Sequence, residues 1–212
     1  ESDGAIHEVG DHLRATSKYA SVAAAKVGLP LMGELAGLVH DLGKYSPSFQ
    51  DYIRQEDNRH LRGTVDHSTT GAQFLSQQQS TEGDVVVRLA SQMLALCVSS
   101  HHSGLIDCLL PNGDDGYTNR MEKAVEPTSG NRDERSIRRR AESLLASTEM
   151  QDELRYRLQA IGAHAKCQRQ TAFMLGLLTR FLFSSLIDAD RTDTAEFERG
   201  CAARLRSRWK YQ

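Results

Sequence analysis

Leu38-Val39-His40-Asp41-Leu42-Gly43-Lys44 closes an apolar run with a histidine and a carboxylate side by side. Adjacent helical residues project about 100° apart, so such a doublet can face two neighbouring ions when the aspartate bridges them. The residues before it predict a helix from about Leu31 to Leu42, with Leu35, Leu38, Val39 and Leu42 on one face and Gly43 terminating it in the left-handed conformation. The doublet therefore falls on a last turn, where side chains can leave the core and meet others. Residues with ligand chemistry are spread around it: His12 before, His67 after, His101 and His102 later, and Asp188-Ala189-Asp190 near the far end.

Working outward, the chain reads as mainly helical, because it holds only four prolines and few alternating strand-like runs. Asp11 is expected to cap a first helix from about His12 to Lys26, whose row of small residues suits close packing, and Gly28-Leu29-Pro30 ends it. Ser46-Pro47 starts a short helix with Phe49, Tyr52 and Ile53 as its apolar face. Residues 55–64 are polar and read as a loop. Asp66 caps a helix beginning at His67, residues 77–80 form a polar linker, and Thr81 with Asp84 approximates a capping box before an apolar helix from Val85 to Ser99. The stretch from Pro111 to Gly130 has the composition of a long surface loop, mobile or covering a site. Helices over about Asp133 to Leu145 and Gln151 to Ile161 follow. A last one, from about Cys167 to Ala189, is expected to be the central core element, with Asp188 and Asp190 at its C-terminal end, where the helix dipole disfavours anions and a cation would compensate.

Composition narrows the function classes. With 212 residues, 39% hydrophobic and 25% charged, the chain is expected to form a single domain over residues 1–212. No run approaches the roughly 18 consecutive apolar residues a membrane span requires, and no secretory signal opens the chain, so a cytoplasmic protein is expected. The four cysteines, Cys97, Cys108, Cys167 and Cys201, have no C-x-x-C spacing; they read as reduced thiols and not as a structural zinc site. A net charge of -2 argues against holding duplex nucleic acid by bulk electrostatics. The densest basic run, Arg135 to Arg140, reads as a solvated helix face.

Imidazole nitrogens with carboxylate oxygens suit manganese, iron, cobalt, nickel or zinc, and the absence of cysteine from the set favours a catalytic over a structural ion. Five or six histidines with two carboxylates exceed what one ion needs. Two ions side by side activate water near neutral pH and neutralise a phosphate, so the expected reaction is phosphoester hydrolysis. Taken singly each residue has a bland reading, since a histidine at a helix end often only caps carbonyls. The weight lies in five of eight histidines falling at predicted helix boundaries. His7, His60 and His164 are read as surface residues without partners.

The order His12, His40-Asp41, His67, distal Asp resembles the HD superfamily of metal-dependent phosphohydrolases. Val39-His40-Asp41-Leu42-Gly43-Lys44, Asp66-His67-Ser68 with Gly71-Ala72, Ser100-His101-His102-Ser103-Gly104 and Leu186-Ile187-Asp188-Ala189-Asp190-Arg191 with Thr194 narrow the resemblance to the HD nuclease domain of the CRISPR-associated helicase-nuclease of type I interference systems. It runs from about residue 12 to 194; the stretch from Pro111 to Ile161 matches no motif.

This resemblance implies an all-α helical bundle with a dinuclear metal site at helix ends, and a metal-dependent nuclease that cuts single-stranded DNA fed to it by a superfamily 2 helicase within a CRISPR effector complex. His12, His40, Asp41 and the distal Asp would hold one ion, and Asp41, His67, His101 and His102 the other. Lys44 would stabilise phosphate charge, and Ser68 would contact phosphate or make a supporting hydrogen bond. Two residues apart on a helix point in nearly opposite directions, so one distal aspartate is expected to serve: Asp190, with Asp188 the alternate. Histidine-rich ligation implies two divalent ions such as manganese, nickel, cobalt or iron in preference to magnesium. No helicase motif occurs in the chain, which implies a separate nuclease subunit or a domain of a longer protein. The competing readings are an HD phosphohydrolase acting on nucleotides or cyclic nucleotides and a non-catalytic helical domain that binds a partner.

Overall fold

The computed structural model describes residues 6–54, 65–77, 84–108 and 110–209. Among them are nine α-helices and no strand: α1 (Val9–Ala24), α2 (Pro30–Val39), α3 (Pro47–Arg54), α4 (Ser68–Gln77), α5 (Val85–Ser100), α6 (Gly116–Met121), α7 (Arg132–Ala146), α8 (Thr148–His164) and α9 (Gln168–Trp209). The fold is the expected all-α bundle. The loop read over 55–64, with His60, the residues 78–80 of the linker, Thr81 and the side chain of Cys201 lie outside the described residues.

The centre of the bundle is α2. Met32, Leu35, Ala36, Leu38 and Val39 are all buried, and α1, α9, α7, α5, α8 and α4 all pack on this helix. Apart from Glu34 this helix is apolar, the kind that packing buries on most sides. It lies closest to α1, where a Cβ on Gly37 would stand 2.4 Å from Ser17 Cα, a backbone approach only glycine permits. The small residues of α1 thus serve the packing read from them. The expectation that the last helix would form the core is corrected: α9 buries Leu178, Leu182, Leu186 and Ala189, but Phe173, Leu177 and Phe181 face outward.

Several boundaries differ from the sequence reading. Asp11 does not cap α1, which begins at Val9 with Glu8 before it; it lies in the first turn, 3.3 Å from Arg14. Gly43 is not left-handed. It sits in a single 3-10 turn, Leu42–Tyr45, that follows α2. Asp84 caps α5, accepting from Val86 N. The largest difference is α9, which continues to Trp209. No proline interrupts residues 190–209, so the helix runs past Asp188 and Asp190. They stand in its middle, where the dipole argument does not apply.

By length and composition α9 also meets the requirement for crossing a membrane over Gln168–Gly200, although Arg180 breaks the consecutive apolar run the sequence reading asked for. Its packing against α1 and α5 buries Leu178, Leu182, Leu186 and Ala189 in the bundle.

The 111–130 stretch is fastened down along its length. It contains α6, capped by Asp115. Arg120 donates to Ser68 Oγ at 2.7 Å, Lys123 pairs with Asp66 at 2.7 Å, and Ser129 N donates to Tyr45 O at 3.0 Å. The stretch is a strap across the start of α4. In the basic run after it, Arg138 pairs with buried Glu134 at 2.8 Å and Arg140 with Glu34 at 2.8 Å, while Arg135 and Arg139 are exposed. Asn131 caps α7 by accepting from Glu134 N at 2.9 Å. Asn131→Ala is expected to cost about 1 kcal/mol, read as a melting temperature lower by about 3 °C in a thermal denaturation followed by circular dichroism.

Candidate metal centre

Four helix ends and one helix flank converge on Asp41. His40 is the C-cap of α2 and His101 the C-cap of α5. His67 immediately precedes α4, whose first turn is capped by Asp66 accepting from Thr69 N at 3.2 Å. His12 comes from the first turn of α1 and Asp190 from the middle of α9.

Asp41 is fully buried, and its two oxygens face different histidines. Oδ2 lies 3.4 Å from His12 Nε2, 3.2 Å from His40 Nε2 and 2.5 Å from Lys44 Nζ. Oδ1 lies 3.3 Å from His101 Nε2, 3.5 Å from His67 Nε2 and 4.0 Å from His102 Nε2. Asp190 Oδ1 completes the first group at 3.3 Å from His12 Nε2 and 3.8 Å from His40 Nε2. Two sets able to hold an ion result around Asp41, namely His12, His40, Asp41 and Asp190, and Asp41, His67, His101 and His102; a third group, His7, His12 and Asp193, lies beside the first. Asp188 is exposed and belongs to neither.

The donor set fits cations. His12 Nε2, His40 Nε2 and His101 Nε2 are buried without a hydrogen-bond partner among the described residues, and the Asp41 oxygens that face them are buried with an ion pair to Lys44. Orphaned buried polar atoms cost free energy that a shared cation would offset. Two ligands each about 2.1 Å from one ion stand about 3.0 to 3.4 Å from each other, close to the separations around Asp41.

The charges are interlocked. Burial opposes ionisation of Asp41, yet Lys44 and His40 hold its carboxyl well below the usual range. Burial likewise opposes charge on His12, but Asp190 and Asp41 raise it to about 10. His12 and His40 in turn outweigh burial at Asp190 and lower its carboxyl. On the other side burial and neighbouring His101 push His102 down to about 4, and burial lowers His67.

A pH dependence follows, since a ligating imidazole must be neutral. At pH 7 His12 is protonated in the metal-free chain, so an ion entering the first set displaces a proton; His67 and His102 are already neutral. Affinity of the first set is expected to rise with pH towards about 10, and to fall as pH drops. Proton release on manganese addition in weakly buffered solution measures it. Uptake at the first set without proton release would contradict the assignment.

Of the remaining predicted residues, Lys44 is a quarter exposed at the rim and held by Asp41. Ser68 is buried, its hydroxyl accepting from Arg120 and facing Asp66 at 3.5 Å. Two residues went unrecognised in the sequence. His7, read as a partnerless surface residue, lies 3.2 Å from Asp193 and stacks on Phe197 with ring centroids 4.2 Å apart. Asp193 accepts from His12 Nδ1 at 2.6 Å; its place three residues after Asp190, on the same helix face, is the signal that marks it. His164 is exposed, its Nδ1 donating to Ala160 O at 2.7 Å.

An all-helical bundle that gathers five histidines and two aspartates around a bridging His-Asp doublet is a metal-dependent hydrolase domain of the HD type. The family model described as Cas3, HD domain matches residues 19–179, about three quarters of the chain, and the chain belongs to that family. His12 and Asp190, both expected from the sequence, lie outside the matched span, and the fold brings them to the site. No curated protein shows significant similarity to this sequence.

Proposed function

We propose that this chain hydrolyses phosphodiester bonds of single-stranded DNA in type I CRISPR interference, using two divalent ions. The observation that carries this reading is the placement of the two Asp41 oxygens towards separate histidine sets. His12, His40, Asp41 and Asp190 would hold one ion, and Asp41, His67, His101 and His102 the other. When bound, such a pair supplies an activated water and neutralises phosphate charge. Manganese, nickel, cobalt or iron suits this histidine-rich set better than magnesium, which prefers oxygen ligands.

The protein's own part is orientation and charge. Asp41, ionised by its surroundings, couples the two sets. Lys44 reaches it from a position partly open to solvent and offers an ammonium to phosphate oxygens as a point charge. His102, half exposed, marks the open edge at which a strand would enter. With a net charge of -2 the chain itself would hold DNA weakly and in a salt-sensitive way, in keeping with delivery of the strand by a superfamily 2 helicase in an effector complex.

The test is metal-stripped protein incubated with circular single-stranded DNA, linear duplex and a panel of deoxynucleotides and cyclic nucleotides, each with manganese, nickel, cobalt or magnesium. Cleavage of the circular strand that requires a transition metal is the expected result. Nucleotide hydrolysis with intact DNA would overturn the substrate assignment, and silence on every substrate would overturn the catalytic one.

A further inference from the structure

Four of the five histidines around Asp41 share one arrangement, in which Nε2 points inward and Nδ1 is tied from behind; His102 instead meets His67, Nε2 to Nε2, at 2.6 Å. His40 Nδ1 donates to Gly37 O at 2.9 Å, His101 Nδ1 to Val98 O at 2.7 Å and His67 Nδ1 to Val65 O at 3.2 Å. Such ties fix the tautomer that leaves the Nε2 lone pair free for a cation. His40 and His101 are C-caps, so the carbonyls three residues back belong to a last turn and lie within reach of the ring, Val98 O also taking the His101 backbone N–H at 3.5 Å.

His12 has no such carbonyl. It lies inside the first turn of α1, and the Glu8 carbonyl behind it already accepts the His12 backbone N–H at 3.1 Å. Its acceptor comes from another helix: Asp193 Oδ2, 2.6 Å from His12 Nδ1. Asp193 is 8% exposed and stands one turn beyond Asp190 on α9, so one helix face carries both a ligand and the group that orients a second ligand. The same oxygen lies 3.2 Å from His7 Nε2, and His7 is itself seated flat on Phe197, with ring planes 7° apart.

We infer that Asp193 is the positioning residue of the first metal set. It holds His12 with Nδ1 protonated and Nε2 aimed between Asp41 Oδ2 and Asp190 Oδ1, 3.4 and 3.3 Å away, and its negative charge strengthens the ring as a donor. His7 braces the carboxylate from the far side. Of the four tied histidines, His12 alone leans on a charged group, so the first set depends on a side chain where the second depends on backbone. This inference rests on the metal-centre reading above.

The test is calorimetric titration of the metal-stripped chain with manganese(II), for the parent, Asp193→Asn and Asp193→Ala, and for each change added to His12→Ala. Both variants are expected to lose about ten- to a hundredfold in affinity at one of two binding events and to leave the other unchanged, Asn losing less than Ala. Added to His12→Ala, neither should weaken binding further, because Asp193 acts through that ring. Unchanged affinity in the variants, an equal loss on the His12→Ala background, or loss of helical circular dichroism in both variants would each overturn the inference while leaving the metal centre standing. A parent chain that takes up no manganese would overturn the metal centre, and this inference with it.

Discussion

Asp41→Ala is expected to abolish metal uptake at both sets and reduce metal-dependent hydrolysis to background, whereas His12→Ala and His101→Ala should each weaken one binding event and spare the other. The asymmetry follows from geometry. His12 and His101 each approach a single oxygen of Asp41, at 3.4 Å and 3.3 Å, and the carboxylate is shared by the two sets. Calorimetric stoichiometry distinguishes the variants, and an Asp41→Ala chain that still bound one ion tightly would refute the bridge. The metal-free variant is also expected to lose about 3 kcal/mol of stability at neutral pH, because it leaves the charges of Lys44 and His40 without their anion in the interior. The sign is fixed by the direction of the shift. A carboxyl held below its unfolded value stabilises the fold above that value, and its contribution is lost as pH falls through the folded one. The difference between parent and variant should therefore shrink in acid.

The second large effect is Gly43→Ala. A Cβ at Gly43 would stand 2.3 Å from His67 O and 2.5 Å from His67 Cα, and the same glycine donates its N–H to His67 O at 3.1 Å. The obstacle is backbone, which cannot rotate away as a side chain would. The turn after α2 and the start of α4 must separate, at a cost of about 3 kcal/mol and a melting temperature lower by about 6 to 12 °C. His67 would move with its peptide, so manganese affinity at the second set should fall while the first set holds. A variant melting with the parent would show that the approach is not tight. Gly43 thus serves the site by closeness, and its handedness, the role the sequence suggested, is ordinary.

The all-α class and most helix starts were legible because they are local. Asp84 before an apolar run and Ser46 before Pro47 each accept from an amide of the first turn they open, and Pro47 itself carries no amide to satisfy. The ligand histidines His40, His67 and His101 were legible for the same reason: they stand where a helix stops or starts, and the sequence marks such places. What lies inside a continuous helix was harder to see. Nothing local ends α9 at Ala189, so the dipole account of Asp188 and Asp190 failed. Only the direction each side chain takes from the helix separates the exposed Asp188 from Asp190.

By itself, then, the sequence determined that this chain is helical and that the His40-Asp41 doublet ends an apolar helix near several other ligand-type residues. Tertiary structure decided that α2 and not α9 is the centre, that the 111–130 stretch is a strap, and that His7 and Asp193 belong with His12, 181 residues from its carboxylate partner. Caps and turns are settled by hydrogen bonds between neighbours in the chain. A buried carboxylate with two differently directed oxygens exists only once five separate segments have been packed against one another, and no local preference records that packing.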